Sequence, residues 1–399
     1  MGVITSLGNN WDSFCMNLEK GVSGIRRMEE WDIYPLLNTR LAGPVIDSDI
    51  SHYCRKKTRS MSRVSLLAVR ATEKALETSG LLNDHGLLSS GDFGVAYGSS
   101  TGSVEATKEF ARMGLHQDMS GITSTSYIRM MSHTAAINIG VFFGLKGRII
   151  TTSSACTSGS QGIGYAYEAI KNGYQTMMVA GGAEELCPSE AAVFDTLYAT
   201  STKNETPHLS PSPFDIDRDG LVVGEGAGTL ILESMEHACA RGAKIYAEVV
   251  GYGTNSDGTH VTLPNADTMA IAMRLALADS GLDQDAIGYI NAHGTATRRG
   301  DIAESEATQA VFGSKIPISS LKGHIGHTLG ACGAIEAWAS IEMMNQNWFA
   351  PTLNLKKPDP SCAQLDYIIE TPRRLVCDYV MSNNFAFGGI NTALIFKRW

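Results

Sequence analysis

Apolar residues occur along the chain as short unbroken runs that alternate with longer segments in which they recur at helical spacing. The runs predict strands over residues 92–97, 148–152, 176–180, 228–232, 246–251, 286–292, 316–319, 378–382 and 392–396. The periodic segments predict helices over residues 62–79, 161–172, 266–280, 301–312 and 334–345. Near the start, Val3, Ile4 and Thr5 read as the end of a further strand. Strands and helices that alternate in this way throughout a chain mark an α/β protein.

Two pairs of segments echo each other. Residues 149–156 form a strand that enters a turn of small residues before a glycine-rich helix start, and residues 316–331 repeat that arrangement. The run at 93–99 is matched in the same way at 287–294. Two related halves, 1–240 and 241–399, account for both pairs.

A chain of 399 residues can hold two or three domains or one large α/β unit. Its longest apolar runs, such as residues 176–181, are far too short to span a bilayer. The 32 basic and 41 acidic residues leave a net charge of −9, which excludes nucleic acid or an anionic membrane as the main partner. Only a local basic patch remains, and Arg55, Lys56 and Lys57 with Arg59 and Arg63 supply one. Eight cysteines are dispersed without a C-x-x-C pair, which argues against a disulfide framework or structural zinc and for a reducing cytoplasm. The first six residues match a loose myristoylation pattern but lack the basic and apolar regions of a signal peptide, and they read better as strand.

Four motifs could carry chemistry. In Ser154-Ala155-Cys156-Thr157-Ser158-Gly159-Ser160 the cysteine falls at a predicted helix N-terminus, where free N–H groups and the helix dipole favour a thiolate. In Asn291-Ala292-His293-Gly294-Thr295-Ala296-Thr297, running on to Asp301, a strand ends on a histidine and a polar glycine turn follows. Lys322-Gly323-His324-Ile325-Gly326-His327 sets histidines among glycines, with Glu336 nine residues beyond His327; no carboxylate or cysteine sits beside the two histidines at metal-ligand spacing, so no metal is expected. In 382–391 a strand runs into the loop Phe385-Ala386-Phe387-Gly388-Gly389, whose N–H groups can face a cleft. A rival stands beside these: Gly98-Ser99-Ser100-Thr101-Gly102 fits the G-x-S-x-G elbow of serine hydrolases and thioesterases, with Ser100 as nucleophile.

Taken together, the motifs around Cys156, His293, His327 and Phe387 resemble those of the β-ketoacyl-[acyl carrier protein] synthases, in the same order and over nearly the whole chain. The second histidine resembles the Cys-His-His class of type II elongating enzymes. The resemblance implies a thiolase fold, a five-layered αβαβα sandwich of two related halves, and a dimer. It implies a decarboxylative Claisen condensation with malonyl-[acyl carrier protein], in fatty-acid or polyketide and polyene synthesis. Cys156 would hold the acyl chain, and His293 and His327 would stabilise the enolate. Lys322 would tune His327, and Glu336 would hold that lysine. The N–H groups of Cys156 and Phe387 would form the oxyanion hole, with Phe387 as gate.

Further roles follow from the same resemblance. Thr295, Thr297 and Phe385 would meet the substrate, and Thr101 would lie in the wall of an acyl pocket. The patch of Arg55, Lys56, Lys57, Arg59 and Arg63 would dock acyl carrier protein, which delivers phosphopantetheine; no cofactor is bound permanently. The partner subunit would be a second copy, or a chain-length-factor-like subunit to which this chain is the catalytic member. Four departures are expected to matter. The family's first strand begins about ten residues earlier, so the edge strand could be missing; Ser212 replaces a common arginine; Asn384 replaces a serine; Ala386 replaces a glycine beside the gate. They suggest a specialised synthase with a gate tuned to an unusual acyl chain.

Overall fold

The computed structural model describes all 399 residues. Five strands build the first sheet: β1 (Gly2–Ile4), β2 (Phe93–Gly98), β3 (Ile149–Thr152), β4 (Met177–Glu184) and β5 (Gly226–Glu233). Their order is β1-β5-β4-β2-β3, with β4, β2 and β3 parallel and β5 and β1 antiparallel to their neighbours. The second sheet contains β6 (Ala247–Ser256), β7 (Tyr289–Asn291), β8 (Pro317–Ser319), β9 (Asp366–Tyr367), β10 (Tyr379–Ala386) and β11 (Ile390–Arg398). Its order is β9-β8-β7-β10-β11-β6. Without the short edge strand β9, this repeats the first sheet strand for strand, including which pairs are parallel. The two echoes in the sequence fall on equivalent strands, β3 with β8 and β2 with β7.

Six helices complete the layers. α1 (Arg63–Thr78) and α2 (Thr134–Phe143) cover the outer face of the first sheet, and α4 (Ala266–Ser280) with α5 (Arg298–Phe312) covers the outer face of the second. Between the sheets lie α3 (Ser158–Lys171) and α6 (Cys332–Gln346). The largest core cluster fills this central layer, with Ile163, Ala166, Ile335 and Trp338 meeting Met178, Tyr289 and Phe396. Helices buried on every side need apolar or small residues nearly all round, and in α6 Cys332 to Ile341 is buried without a break, Glu336 being the one charged residue of that stretch. No helix is long and apolar enough to cross a membrane.

Several predicted elements change length, for one reason. β4 and β10 run four residues past their predicted ends because Glu184, Asn383 and Asn384 are polar yet fully buried. α3 begins three residues early, on Ser158, Gly159 and Ser160, where small residues give no apolar period. The helix α2 escapes the periodicity reading because Thr134–Phe143 is apolar nearly all round. The first residues, read from the sequence as the end of a strand, form the edge strand β1, which pairs Gly2 with Thr229 and Ile4 with Ala227.

Candidate active site

Cys156, His293, His327 and Phe387 come from loops that leave the C-terminal ends of β3, β7, β8 and β10. Their convergence depends on the two central helices meeting end to end. A Cβ at Gly159 would lie 2.9 Å from the carbonyl oxygen of Gly330, and one at Gly333 would lie 2.6 Å from the nitrogen of Ser160. Glycine at both places lets the loop carrying His327 close over the first turn of α3.

The turn at Cys156 is tight. Ala155 takes a left-handed backbone (φ 50°), a 3₁₀ turn spans Ala155–Thr157, and α3 follows. Hydroxyl groups hold it: Ser158 Oγ accepts from the Ser154 N–H at 3.0 Å and donates to the Ala155 carbonyl at 2.7 Å. The thiol is thereby aimed at His327, whose Nε2 stands 2.9 Å from Sγ. His327 is itself fixed through its main chain, donating to the Val222 carbonyl at 2.7 Å and accepting from the Gly224 N–H at 2.8 Å.

His293 approaches from the other sheet. Glu304, one turn into α5, accepts from the main-chain N–H groups of His293 and Gly294, both at 2.7 Å. Asp301 grips the rest of the turn, accepting from Thr295 and Ala296 at 3.1 Å each, and is met by Arg218 Nε at 3.3 Å. The two imidazoles meet edge to face, centroids 5.0 Å apart at 87°. The sulfur and one nitrogen of each ring all lie within 4.8 Å of one another.

Burial governs the electrostatics. The thiol of Cys156 is pushed up to about 11, because desolvation outweighs the N–H groups of Phe387 and of Cys156 itself and the charge of Lys322. At Cys156 burial therefore works against the pull of the helix N-terminus towards a thiolate. Desolvation holds both His293 and His327 well below the ordinary histidine range, reinforced by Lys322. Lys322 and Glu336 form a fully buried ion pair at 2.5 Å.

Most of the expected residues gather around one cavity of about 620 Å³. Cys156, His293, His327, Thr295, Thr297, Phe385 and Phe387 line it. Thr295 and Thr297 stand with their hydroxyls 2.9 Å apart, and Phe387 faces Phe194 at 5.7 Å between ring centroids. Ala386 closes β10 paired with Ile390, so its methyl group carries no backbone strain; the left-handed positions are Gly388 and Gly389.

Thr101 is exposed in the single chain and lies outside the lining of this cavity; the Ser100 N–H beside it is held by Glu184 at 2.8 Å. No hydrogen bond joins Ser100 to a histidine, so the hydrolase elbow is not assembled. Arg63 forms an ion pair with Glu225, a carboxylate only 2% exposed, and donates to the Val45 carbonyl at 2.9 Å, with 40% of its own side chain exposed. Arg55, Lys56, Lys57 and Arg59 remain exposed, on and just after the helical turn Arg55–Thr58. His324 lies between the carbonyl oxygens of Val22 and Pro351 rather than beside His327.

Sequence reasoning gave no role to Glu304, Asp301, Phe194, Arg298 or Arg299. Glu304 lies on a buried helix face that mixes Ala303, Ala307 and Val311 with Asp301, Ser305 and Thr308, so periodicity alone did not single it out. Arg298 and Arg299, at the start of α5, are exposed at the cavity mouth; the ion pairs there engage Arg218 with Asp301 and Asp359 and leave both guanidinium groups free.

Known proteins share this arrangement. The chain is 37% identical over 408 residues to a 3-oxoacyl-[acyl-carrier-protein] synthase 2 of Synechocystis, covering 100% of this chain and 97% of that protein. It superposes on a crystal structure of a beta-ketoacyl synthase from Burkholderia phymatum with a TM-score of 0.98 at 60% identity, covering 100% and 98% of the two chains. A structure of the ishigamide ketosynthase/chain length factor matches with a TM-score of 0.89 at 30% identity, covering 100% and 97%. Residues 1–238 match the beta-ketoacyl synthase N-terminal domain and residues 246–356 its C-terminal domain, so the chain, with its thiolase fold, belongs to the beta-ketoacyl synthase family.

Proposed function

We propose that the chain extends an acyl chain by two carbons through decarboxylative condensation with malonyl-[acyl carrier protein]. The observation that carries this reading is the thiol of Cys156 at 2.9 Å from His327, with His293 edge-on to it in the same buried cavity. In the first half-reaction Cys156 Sγ bonds to the acyl carbon and the bond to the pantetheine sulfur breaks. The thiol proton passes to His327 Nε2 and from there to the departing sulfur. In the second, the malonyl carboxylate leaves as carbon dioxide, and its bonding electrons become an enolate whose oxygen accepts from Nε2–H of His293 and His327. The enolate carbon bonds to the acyl-Cys156 carbonyl carbon, the N–H groups of Cys156 and Phe387 hold the oxyanion, and collapse breaks the bond to Sγ, expelling Cys156 as a thiolate that takes up a proton from water to restore the thiol.

Neutral imidazoles serve both steps, as acceptor and then as donors. Nδ1 of His327 makes no hydrogen bond, so its ring can carry the proton on either nitrogen as the step requires. Thr295 and Thr297 line the way in for the pantetheine arm, Arg298 and Arg299 meet its phosphate at the mouth, and Arg55, Lys56, Lys57 and Arg59 meet the acidic carrier. The names of the relatives support a carrier-linked substrate and a dimer, either of two copies or with a chain-length-factor-like subunit. The reading also takes 1–240 and 241–399 as the two functional halves, the first supplying the nucleophile and the second the histidines, in a cytoplasmic enzyme.

The test is intact-mass spectrometry with an acyl carrier thioester, followed by malonyl carrier protein. An acyl adduct lost in Cys156→Ala, kept in Ser100→Ala, and released two carbons longer is the expected result. An adduct that persists without Cys156, or is released by water alone, would overturn the reading.

A further inference from the structure

Asn384, near the end of β10, is fully buried between the Lys322–Glu336 pair and His293. Its Nδ2 donates to Glu336 Oε2 at 2.8 Å and lies 3.4 Å from His293 Nδ1 and 3.6 Å from Cys332 Sγ, a weak acceptor. Glu336 Oε1 is already taken by Lys322. A carboxylate bound to an ammonium ion only accepts, so the amide must turn its nitrogen towards Glu336, and this fixes which end faces His293. The amide oxygen is left without a partner, pointing at the first turn of α6, where Gly333 makes room: a Cβ there would lie 2.7 Å from Oδ1. A buried amide with an orphaned oxygen is retained for its two donors.

We infer that Asn384 is a positioning residue that fixes the tautomer of His293. With an N–H aimed at Nδ1, that nitrogen accepts, and the single proton of the neutral ring resides on Nε2. The contrast with His327 is informative. That ring has to accept a proton in one half-reaction and donate in the other, and its Nδ1 is unpinned. His293 has one task, donation to the enolate oxygen, and its ring is pinned for it. The chain Lys322, Glu336, Asn384, His293 thus connects a buried charge pair in the second half to the donor it orients. This inference rests on the reading that His293 donates through Nε2.

Nitrogen NMR of the full-length enzyme with labelled histidine, with His293→Ala assigning the signal, reads the tautomer directly. Wild type is expected to show His293 protonated on Nε2. Asn384→Ala should yield a mixture of tautomers, and Asn384→Asp, whose carboxylate accepts, should move the proton to Nδ1. Cys156 acylation, followed by mass, should change less than about threefold in these variants, whereas decarboxylation of malonyl carrier protein should fall by about 10²–10³-fold in Asn384→Asp, the usual loss of one oxyanion donor. A wild-type ring protonated on Nδ1, or a tautomer unchanged in both variants, would overturn the inference while leaving the chemistry of Cys156 intact. A shifted tautomer with unchanged decarboxylation would instead sink the donor role of His293, and with it any part for Asn384 in the reaction.

Discussion

Nε2 of His327 stands 2.9 Å from Sγ of Cys156, and the two residues are only 2% and 3% exposed. Desolvation raises the thiol and lowers the imidazole, so burial opposes charge on both groups at this contact. The sign for pH follows: with the thiol at about 11, the thiolate fraction is small at neutral pH and rises about tenfold per unit below that value. Alkylation of Cys156 by iodoacetamide should therefore accelerate steadily from pH 7 to 10. A rate that levels off below pH 8 would mean that the helix N-terminus stabilises the anion after all.

Lys322 should be structural as well as catalytic in effect. Its ammonium is the counter-charge to Glu336, and neither side chain has any exposure. Lys322→Ala leaves that carboxylate buried and unpaired, a change that costs about 3–5 kcal/mol. Chemical denaturation should show the loss, and Lys322→Ala/Glu336→Gln should recover part of it. Equal stabilities for the single and double variants would show that the pair does not matter to the fold.

Basic residues from one stretch of sequence should behave differently. Exchange of Lys56 and Lys57 for glutamate should raise KM for carrier-linked substrates and spare alkylation of Cys156, and Arg298→Ala/Arg299→Ala should do the same at the cavity mouth. Arg63→Ala, which strips Glu225 of its partner, should lower the unfolding midpoint. An unchanged KM in the glutamate variant would remove the patch as a docking site.

The site was legible where chemistry depends on residue type beside a strand end. Cys156, His293 and His327 each follow a run of apolar residues and precede glycine or small residues, and that pattern survives without knowledge of the fold. The repeat was legible for the same reason, since equivalent strands β3 and β8 both feed a central helix. Composition likewise bounded the partners, because a net charge of −9 confines any basic surface to a patch.

What the sequence alone indicated, then, was the order of most strands and helices and the residues expected to carry the chemistry, Cys156, His293 and His327. Tertiary structure decided everything that depends on distance between segments far apart in the chain. Arg63 lies within four residues of Arg59 in sequence, yet it is claimed by Glu225, 162 residues away. The electrostatics of Cys156 are the clearest case: a local helix start argues for a thiolate, and only the packing of two sheets around the central helices supplies the desolvation that pushes the thiol up.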